Sequence, residues 1–106
     1  SQSSEDVRDR AALELMYSSG LRIGELVGIT LGDLDLETGV VRVVGKGEKE
    51  RFVPIGKTAL KWLRSYVKGV RPFMARTSSN ALFLTRGGEP LPAHRLRTRV
   101  RELGKG

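Results

Sequence analysis

The beginning of the chain places apolar side chains at helical spacing. Ser3 and Asp6 resemble a capping box, so a helix is expected to begin beside Ser3, and Gly20 is expected to end it. The apolar stripe of this helix consists of Val7, Ala11, Leu15 and Met16. Residues 22–28 continue as a second short helix, so the two helices are predicted to form a hairpin.

After Gly39 the pattern changes from helical to extended. Residues 40–44 are a β-branched run, and residues 51–55 form a second extended segment. The residues between them are glycines and charged side chains, so we predict an antiparallel hairpin with a polar, basic tip. Pro54 cannot donate to a strand ladder, which predicts that its strand lies at a sheet edge or ends there.

The helical spacing returns at residues 58–70, and Pro72 is expected to close that helix. Residues 75–80 are predicted to be an exposed loop, residues 82–84 a short buried strand, and residues 92–103 a last helix crowded with arginines. The order of these elements predicts an α+β fold with a helical hairpin, a small antiparallel three-stranded sheet and further helices.

The composition bounds the class of protein. The chain has 106 residues, of which 39% are hydrophobic and 29% charged, so it corresponds to one globular domain or less. Its apolar runs are too short to span a bilayer, and the absence of cysteine excludes disulfides, thiolate zinc sites and cysteine nucleophiles. The N-terminal residues lack the features of a signal peptide, so a cytoplasmic location is expected.

Charge is the strongest compositional signal. The formal net charge is +7, from 19 basic and 12 acidic residues. Residues 1–41 carry three basic and eight acidic side chains, whereas residues 42–106 carry sixteen basic and four acidic ones. A basic segment of this density is typical of a protein that binds a polyanion, and nucleic acid is the first candidate. The alternative is a solvated basic surface that serves solubility.

Four segments carry a recognisable set of motifs. They read SGLRIGEL at residues 19–26, LGDLD at residues 31–35, VVRVVGKGEKER at residues 40–51 and VPI at residues 53–55. Together they resemble the catalytic domain of tyrosine recombinases, and most of all the Xer type. The likeness runs from about Val7 to Leu103, and it is specific because the GLRxxEL and GKGxKxRxVP motifs occur together at this distance.

The resemblance implies a reaction and its partners. In such enzymes a tyrosine hydroxyl attacks a phosphodiester of double-stranded DNA, which makes a 3′-phosphotyrosyl link and frees a 5′-hydroxyl. The reaction requires no ATP, metal or other cofactor. The chain is therefore expected to act on double-stranded DNA together with other recombinase protomers, without a membrane or a nucleotide cofactor.

The resemblance also implies roles for five residues. Arg22 matches the first catalytic arginine, whose planar guanidinium suits a phosphorane, although spacing alone favours a surface arginine paired with Glu25. Glu25 is expected to hold that arginine and nearby backbone rather than touch DNA. Lys46 matches the hairpin lysine that protonates the leaving oxygen, and its alternative is a solvated tip lysine. Lys49 and Arg51 are expected to position DNA phosphates.

The catalytic residues that the family places further along are not found in this chain. They are a His-x-x-Arg box, a later His or Trp and the nucleophilic tyrosine, whereas Tyr17 and Tyr66 lie on apolar helical stripes and are expected in the core. His94 stands in a His-x-Leu-Arg context but is expected to contact the DNA backbone rather than act in catalysis. The predicted DNA contacts on the last helix are Arg95, Arg97 and Arg99. Residues 1–106 are therefore expected to be the N-terminal part of a catalytic domain, cut before the His-x-x-Arg box and the nucleophile.

The main alternative is a non-catalytic basic module that binds nucleic acid. It would explain the charge, but it would leave the joint occurrence of the Arg22 and Lys46 motifs as a coincidence. The sequence contains no Walker loop, dinucleotide fingerprint or metal-spaced cluster of His and Asp, so nucleotide-dependent and metal-dependent enzymes fit poorly.

Overall fold

A computed structural model describes residues 3–103. Within that range the chain forms five helices and three strands. The helices are α1 (Ser4–Ser19), α2 (Ile23–Val27), α3 (Lys57–Gly69), α4 (Arg71–Met74) and α5 (Ala93–Leu103), and the strands are β1 (Leu34–Asp35), β2 (Val40–Val44) and β3 (Glu50–Pro54). No helix in this range has the length and apolar character needed to cross a membrane. The predicted combination of helices with a small sheet is confirmed.

The first two helices begin and end where local chemistry predicts. Ser3 Oγ accepts the backbone N–H of Asp6 at 3.1 Å, and the Asp6 carboxylate accepts the backbone N–H of Ser3 at 3.3 Å, which completes the capping box. Gly20 has a left-handed φ of +62°, and its N–H donates to the Met16 carbonyl, so it ends α1 as expected. The chain then turns at once into α2, which sets Arg22 at the start of that helix.

The sheet is antiparallel, with the strand order β1-β2-β3. β2 and β3 pair over their full lengths, from Val40 opposite Pro54 onward, which confirms the predicted hairpin. β3 is an edge strand and ends at Pro54, as the missing N–H of proline predicts. The alternation of β2 turns Val41 and Val43 into the core, where both are buried.

The third strand is not the one predicted. Residues 82–84 are buried, as expected, but they lie outside the sheet, and β1 supplies its third strand. The N–H of Leu82 donates to the Ile29 carbonyl at 2.9 Å. The Tyr66 hydroxyl donates to the Leu82 carbonyl at 2.9 Å and accepts the Leu84 N–H at 3.0 Å. The segment therefore satisfies its buried backbone groups without joining a strand ladder.

The helix predicted at residues 58–70 is α3, which ends at Gly69 before Pro72 as expected, but a further short helix, α4, follows at once. Pro72 lies in the first turn of α4, where proline has no intrahelical hydrogen bond to lose. The buried side chain of Arg71 beside it donates to the carbonyl oxygens of Ser79 and Leu82 at 3.2 and 3.0 Å. These bonds hold α4 against the buried segment that follows.

Of the two tyrosines expected in the core, Tyr66 is there and Tyr17 is not. Tyr66 is fully buried, whereas Tyr17 is 66% exposed. Consecutive helical residues point about 100° apart, and Met16 is the last buried residue of α1, so Tyr17 lies outside the buried face of this helix. It falls instead on the arc of Arg10 and Glu14, which pair with each other at 2.7 Å. The prediction for Tyr17 is therefore wrong.

Candidate functional site

Arg22 lies at the N-terminal end of α2. Its backbone is extended, with φ −81° and ψ 154°, and its N–H donates to Glu25 Oε1 at 3.0 Å. Its side chain is exposed, and residues 3–103 provide no side-chain hydrogen bond or ion pair to its guanidinium. The side-chain pair with Glu25 that spacing alone favours is therefore not formed, and the guanidinium faces solvent.

Glu25 connects α2 to the hairpin. Its two carboxylate oxygens accept the terminal nitrogens of Arg51, with Nη1 at 2.8 Å from Oε2 and Nη2 at 3.2 Å from Oε1. Hydrogen bonding by the Arg51 guanidinium, and next by the Arg22 backbone N–H, lowers the pKa of Glu25 to about 2. The carboxylate is thus ionised near neutral pH. It contacts the first arginine through that residue's backbone, while its side-chain partner is Arg51.

The hairpin tip begins beside this ion pair. A Cβ on Gly45 would lie 3.4 Å from Glu25 Oε2 and 3.7 Å from Arg51 Nη1, so the backbone at this position rests on the pair. The Gly45 N–H donates to the Lys49 carbonyl at 2.9 Å, which closes the tip around a 3₁₀ turn that starts at Lys46. Both lysines are exposed. The structure thus brings the two elements that carry the predicted catalytic residues into contact.

A second set of ion pairs, not predicted from the sequence, supports the hairpin. Arg42 on β2 donates to Glu50 on β3 at 2.6 Å and to Asp33 at 3.0 Å. Asp33 also accepts the backbone N–H of Thr30 at 2.9 Å. The signal that could have indicated these contacts is the LGDLD motif, whose first aspartate faces Arg42. The hairpin is therefore held to α2 by Arg51 and to the 3₁₀ turn before β1 by Arg42.

The predicted DNA contacts on α5 separate into two sets. Arg99 faces α1, donates to the buried Asp9 at 2.8 Å, and reaches two further carboxylates at 3.2 and 3.4 Å. Arg95 lies 3.7 Å from Glu5. Arg97 is exposed and has no acidic partner within residues 3–103. Of these three arginines, Arg97 is therefore the one that has no acidic partner in the described part of the chain.

A cleft of about 410 Å³ separates the first turn of α1 from α5. His94 lines it, together with acidic side chains of α1 and arginines of both helices. The acidic lining residues are Glu5, Asp6 and Asp9, and the arginines are Arg8, Arg95 and Arg99. Because the two charges balance, the cleft has no excess that would select an anion. The expectation that His94 contacts DNA backbone stays a prediction.

Comparison with known proteins identifies the family. The sequence matches the family model described as the phage integrase family over residues 1–106. The chain belongs to the phage integrase family. This integrase-family chain is similar to proteins named tyrosine recombinase XerD, with 47% identity over 85 residues for Staphylococcus saprophyticus and 49% over 74 residues for Yersinia pestis. The matches cover 79% and 70% of this chain but 29% and 25% of the relatives, so it spans less than a third of their length.

Solved structures of related recombinases share the fold of this integrase-family chain. XerA recombinase aligns with a TM-score of 0.84 and 31% identity, over 96% of this chain and 37% of that one. The Tn1549 transposon integrase in complex with circular intermediate DNA aligns with a TM-score of 0.61 and 26% identity, over 92% and 38%. XerH site-specific recombinase bound to a palindromic difH substrate, at a TM-score of 0.78 and 21% identity over 97% and 30%, supports the fold alone. The predicted α+β fold and the predicted family are confirmed.

Proposed function

We propose that this chain is part of the catalytic domain of a site-specific tyrosine recombinase, that it binds double-stranded DNA, and that it contributes Arg22 and Lys46 to strand cleavage. The observation that carries the proposal is the contact between the end of α2 and the hairpin tip, which brings the backbone of Arg22 and of Gly45, the residue before Lys46, to the Glu25–Arg51 pair. The names of the XerD relatives, and the DNA present in the transposon integrase complex, support it.

In the proposed reaction a tyrosine hydroxyl gives its proton to a general base, its oxygen attacks the phosphorus, and the bond between phosphorus and the 5′-oxygen breaks. Arg22 stabilises the charge on the non-bridging oxygens, because a guanidinium stays charged at any working pH and offers two parallel N–H donors. Lys46 gives a proton to the departing 5′-oxygen. One phosphate ester replaces another, so the step needs no ATP, and other recombinase protomers would cleave the other DNA strands.

We propose that the nucleophilic tyrosine and the His-x-x-Arg box lie outside residues 1–106. Tyr66 is unsuited to attack DNA because it is buried and its hydroxyl is bonded to Leu82 and Leu84. Burial also raises the pKa of Tyr66, which disfavours the phenolate. Tyr17 is exposed, and the experiment below tests it directly.

The proposed phosphate contacts follow from exposure and pairing. Lys49 and Arg97 are exposed and have no acidic partner within residues 3–103, so we assign both to the DNA backbone. Arg95 is 3.7 Å from its carboxylate and 45% exposed, so a phosphate can replace that partner. Arg99 divides its guanidinium among three carboxylates, so we assign it to the contact between α5 and α1 instead of the DNA backbone.

The test uses the full-length protein and a nicked suicide substrate, on which cleavage traps a covalent protein–DNA adduct. Arg22→Ala is expected to slow adduct formation by about 100-fold or more, because a preorganised contact to the transition state is lost. Lys49→Ala is the comparison, and we expect it to lower DNA affinity more than the cleavage rate.

Two outcomes would refute the proposal. A non-catalytic nucleic-acid module predicts that the unaltered full-length protein forms no adduct and that Arg22→Ala only weakens binding. An adduct formed by the 106-residue chain alone and abolished by Tyr17→Phe would show that the nucleophile lies within this chain.

A further inference from the structure

We propose that Arg51 is a positioning residue rather than a DNA contact. By binding Glu25, it holds the hairpin tip that carries Lys46 against the end of α2 that carries Arg22. The inference rests on the proposed function, because it gives Arg51 a part in bringing two catalytic side chains to the same phosphate.

Both terminal nitrogens of Arg51 are bonded to Glu25. Their distances to the two carboxylate oxygens are 2.8 and 3.2 Å, which is the two-point geometry that a guanidinium and a carboxylate form best. The Glu25 side chain is 17% exposed and that of Arg51 is 46% exposed, so the pair is partly open to water and depends on this two-point geometry more than on burial. Because the Glu25 charge cancels that of Arg51, the pair offers DNA little net attraction.

The pair is also the link between two elements. In the described part of the chain, the Arg51 hydrogen bonds are the only side-chain bonds that join α2 to the hairpin. On the helix side, the same carboxylate accepts the Arg22 N–H at 3.0 Å. On the hairpin side, Gly45 packs against it, since a Cβ there would lie 3.4 Å from Oε2. One carboxylate thus contacts Arg22 and the residue that precedes Lys46.

The tip has little else to hold it near α2. Residues 46–50 are all exposed, and Gly47 and Glu48 have left-handed φ values of +76° and +62°. The position of Lys46 therefore depends on the strands below it, which the Arg42 ion pairs support, and on the Arg51 pair, which alone bonds the hairpin to α2 in the described residues. Loss of the pair is expected to displace Lys46 relative to Arg22, and a displacement near 1 Å at a reacting group costs about 100-fold in rate.

Lys49 provides a contrast on the same hairpin. It lies two positions before Arg51 and carries the same charge, and both side chains are exposed, but Lys49 has no acidic partner in the described residues. If Lys49 contacts phosphate and Arg51 positions the tip, the two residues affect different steps. Lys49 affects DNA affinity and its salt dependence, and Arg51 affects the cleavage step.

The kinetic test compares Arg51→Ala, Arg51→Lys and Lys49→Ala in the full-length protein on the nicked suicide substrate. Both Arg51 variants are expected to slow single-turnover cleavage at saturating DNA by at least about 10-fold, because lysine cannot bond both carboxylate oxygens. The double variant of Glu25→Gln and Arg51→Ala removes both charges of the pair, so its salt dependence of DNA affinity should match that of the unaltered protein. Lys49→Ala is expected to make the slope of log affinity against log salt shallower by about 1. Lys68→Ala, an exposed charge on α3, is the neutral control.

A double variant tests whether Arg51 acts through Glu25. Glu25→Gln should slow cleavage to a similar extent, and Arg51→Ala should then add little, because both changes break the same pair. The proposal is wrong if Arg51→Lys cleaves as fast as the unaltered protein. It is also wrong if the double variant loses a full unit of salt slope and higher DNA concentration restores its cleavage.

A DNA-free measurement separates this inference from the proposed function. Hydrogen exchange of residues 45–50, followed by mass spectrometry on the same full-length proteins, should be at least about threefold faster in Arg51→Lys than in Lys68→Ala. Unchanged exchange overturns the positioning role. If the unaltered protein cleaves no DNA, the proposed function fails, and the exchange result still decides whether Arg51 holds the tip.

Discussion

The carboxylate of Glu25 accepts hydrogen bonds from two elements of the fold. One comes from the Arg22 N–H at the start of α2, and two come from the Arg51 guanidinium on β3. All three favour the ionised form of the carboxylate, and they lower its pKa from 4.5 to about 2. At this scale the site is a charge held in place by donors rather than an exposed acidic side chain.

The lowered pKa makes the stabilisation by Glu25 depend on pH. The contribution is complete above the ordinary pKa of 4.5 and is lost as the pH falls toward 2, because the unfolded state takes up a proton in that interval before the folded state does. The difference in unfolding free energy between the unaltered chain and Glu25→Gln should therefore shrink between these pH values. Urea unfolding at a series of pH values measures it, with Glu37→Gln as an exposed control. A difference that stays constant would contradict the pairing.

Among the elements, the buried segment at residues 82–84 depends on a side chain for its backbone hydrogen bonds. Tyr66→Phe removes the hydroxyl that bonds Leu82 and Leu84, so it should lower the unfolding free energy by about 1–3 kcal/mol. Tyr17→Phe removes the same group from an exposed position and should change it by less than about 0.5 kcal/mol. Urea unfolding of the two variants measures both values. Equal effects would contradict the bonds assigned to Tyr66.

The same segment shows which elements the sequence predicts. α1, α3, α5 and the β2–β3 hairpin follow from periodicity and turn residues, because their patterns repeat over many positions. β1 has two residues, which are too few for an alternation to appear. Residues 82–84 have the apolar character of a strand, but they bond the side chains of Tyr66 and Arg71 and single backbone groups of Ile29 and Leu91, and these contacts depend on tertiary packing.

The candidate site also has one part that the sequence predicts and one part that depends on tertiary packing. The GLRxxEL and GKG motifs place Arg22 and Lys46 on the observed elements, because the motifs depend on near neighbours in sequence. The bond between Glu25 and Arg51 joins positions 26 apart. It depends on how the hairpin docks against α2, and periodicity and spacing contain no information about that contact.

Over the whole molecule, the acidic start of the chain neutralises part of the basic second half. Asp9 is 2% exposed and receives Arg99 from 90 positions away, and Glu5 lies near both Arg95 and Arg86. The pair of Asp9 and Arg99 holds α5 to α1 and lowers the charge that Arg99 can offer to a polyanion, whereas the contacts of Glu5 are longer and more exposed. The formal net charge is +7, but the positive charge that can attract DNA is therefore spread unevenly over the surface.

This division predicts different behaviour for two arginines of one helix. If about five phosphates are contacted, the slope of log affinity against log salt is about −4 to −5, and Arg97→Ala should make it shallower by about 1. Arg99→Ala should leave the slope nearly unchanged but lower the unfolding free energy by about 1–3 kcal/mol, because the buried Asp9 loses a donor. Fluorescence anisotropy on a DNA duplex over a range of salt concentrations, together with urea unfolding, measures both quantities. An affinity independent of salt would contradict binding through charge, and equal slope changes would contradict the separation of α5 into a paired and an unpaired side.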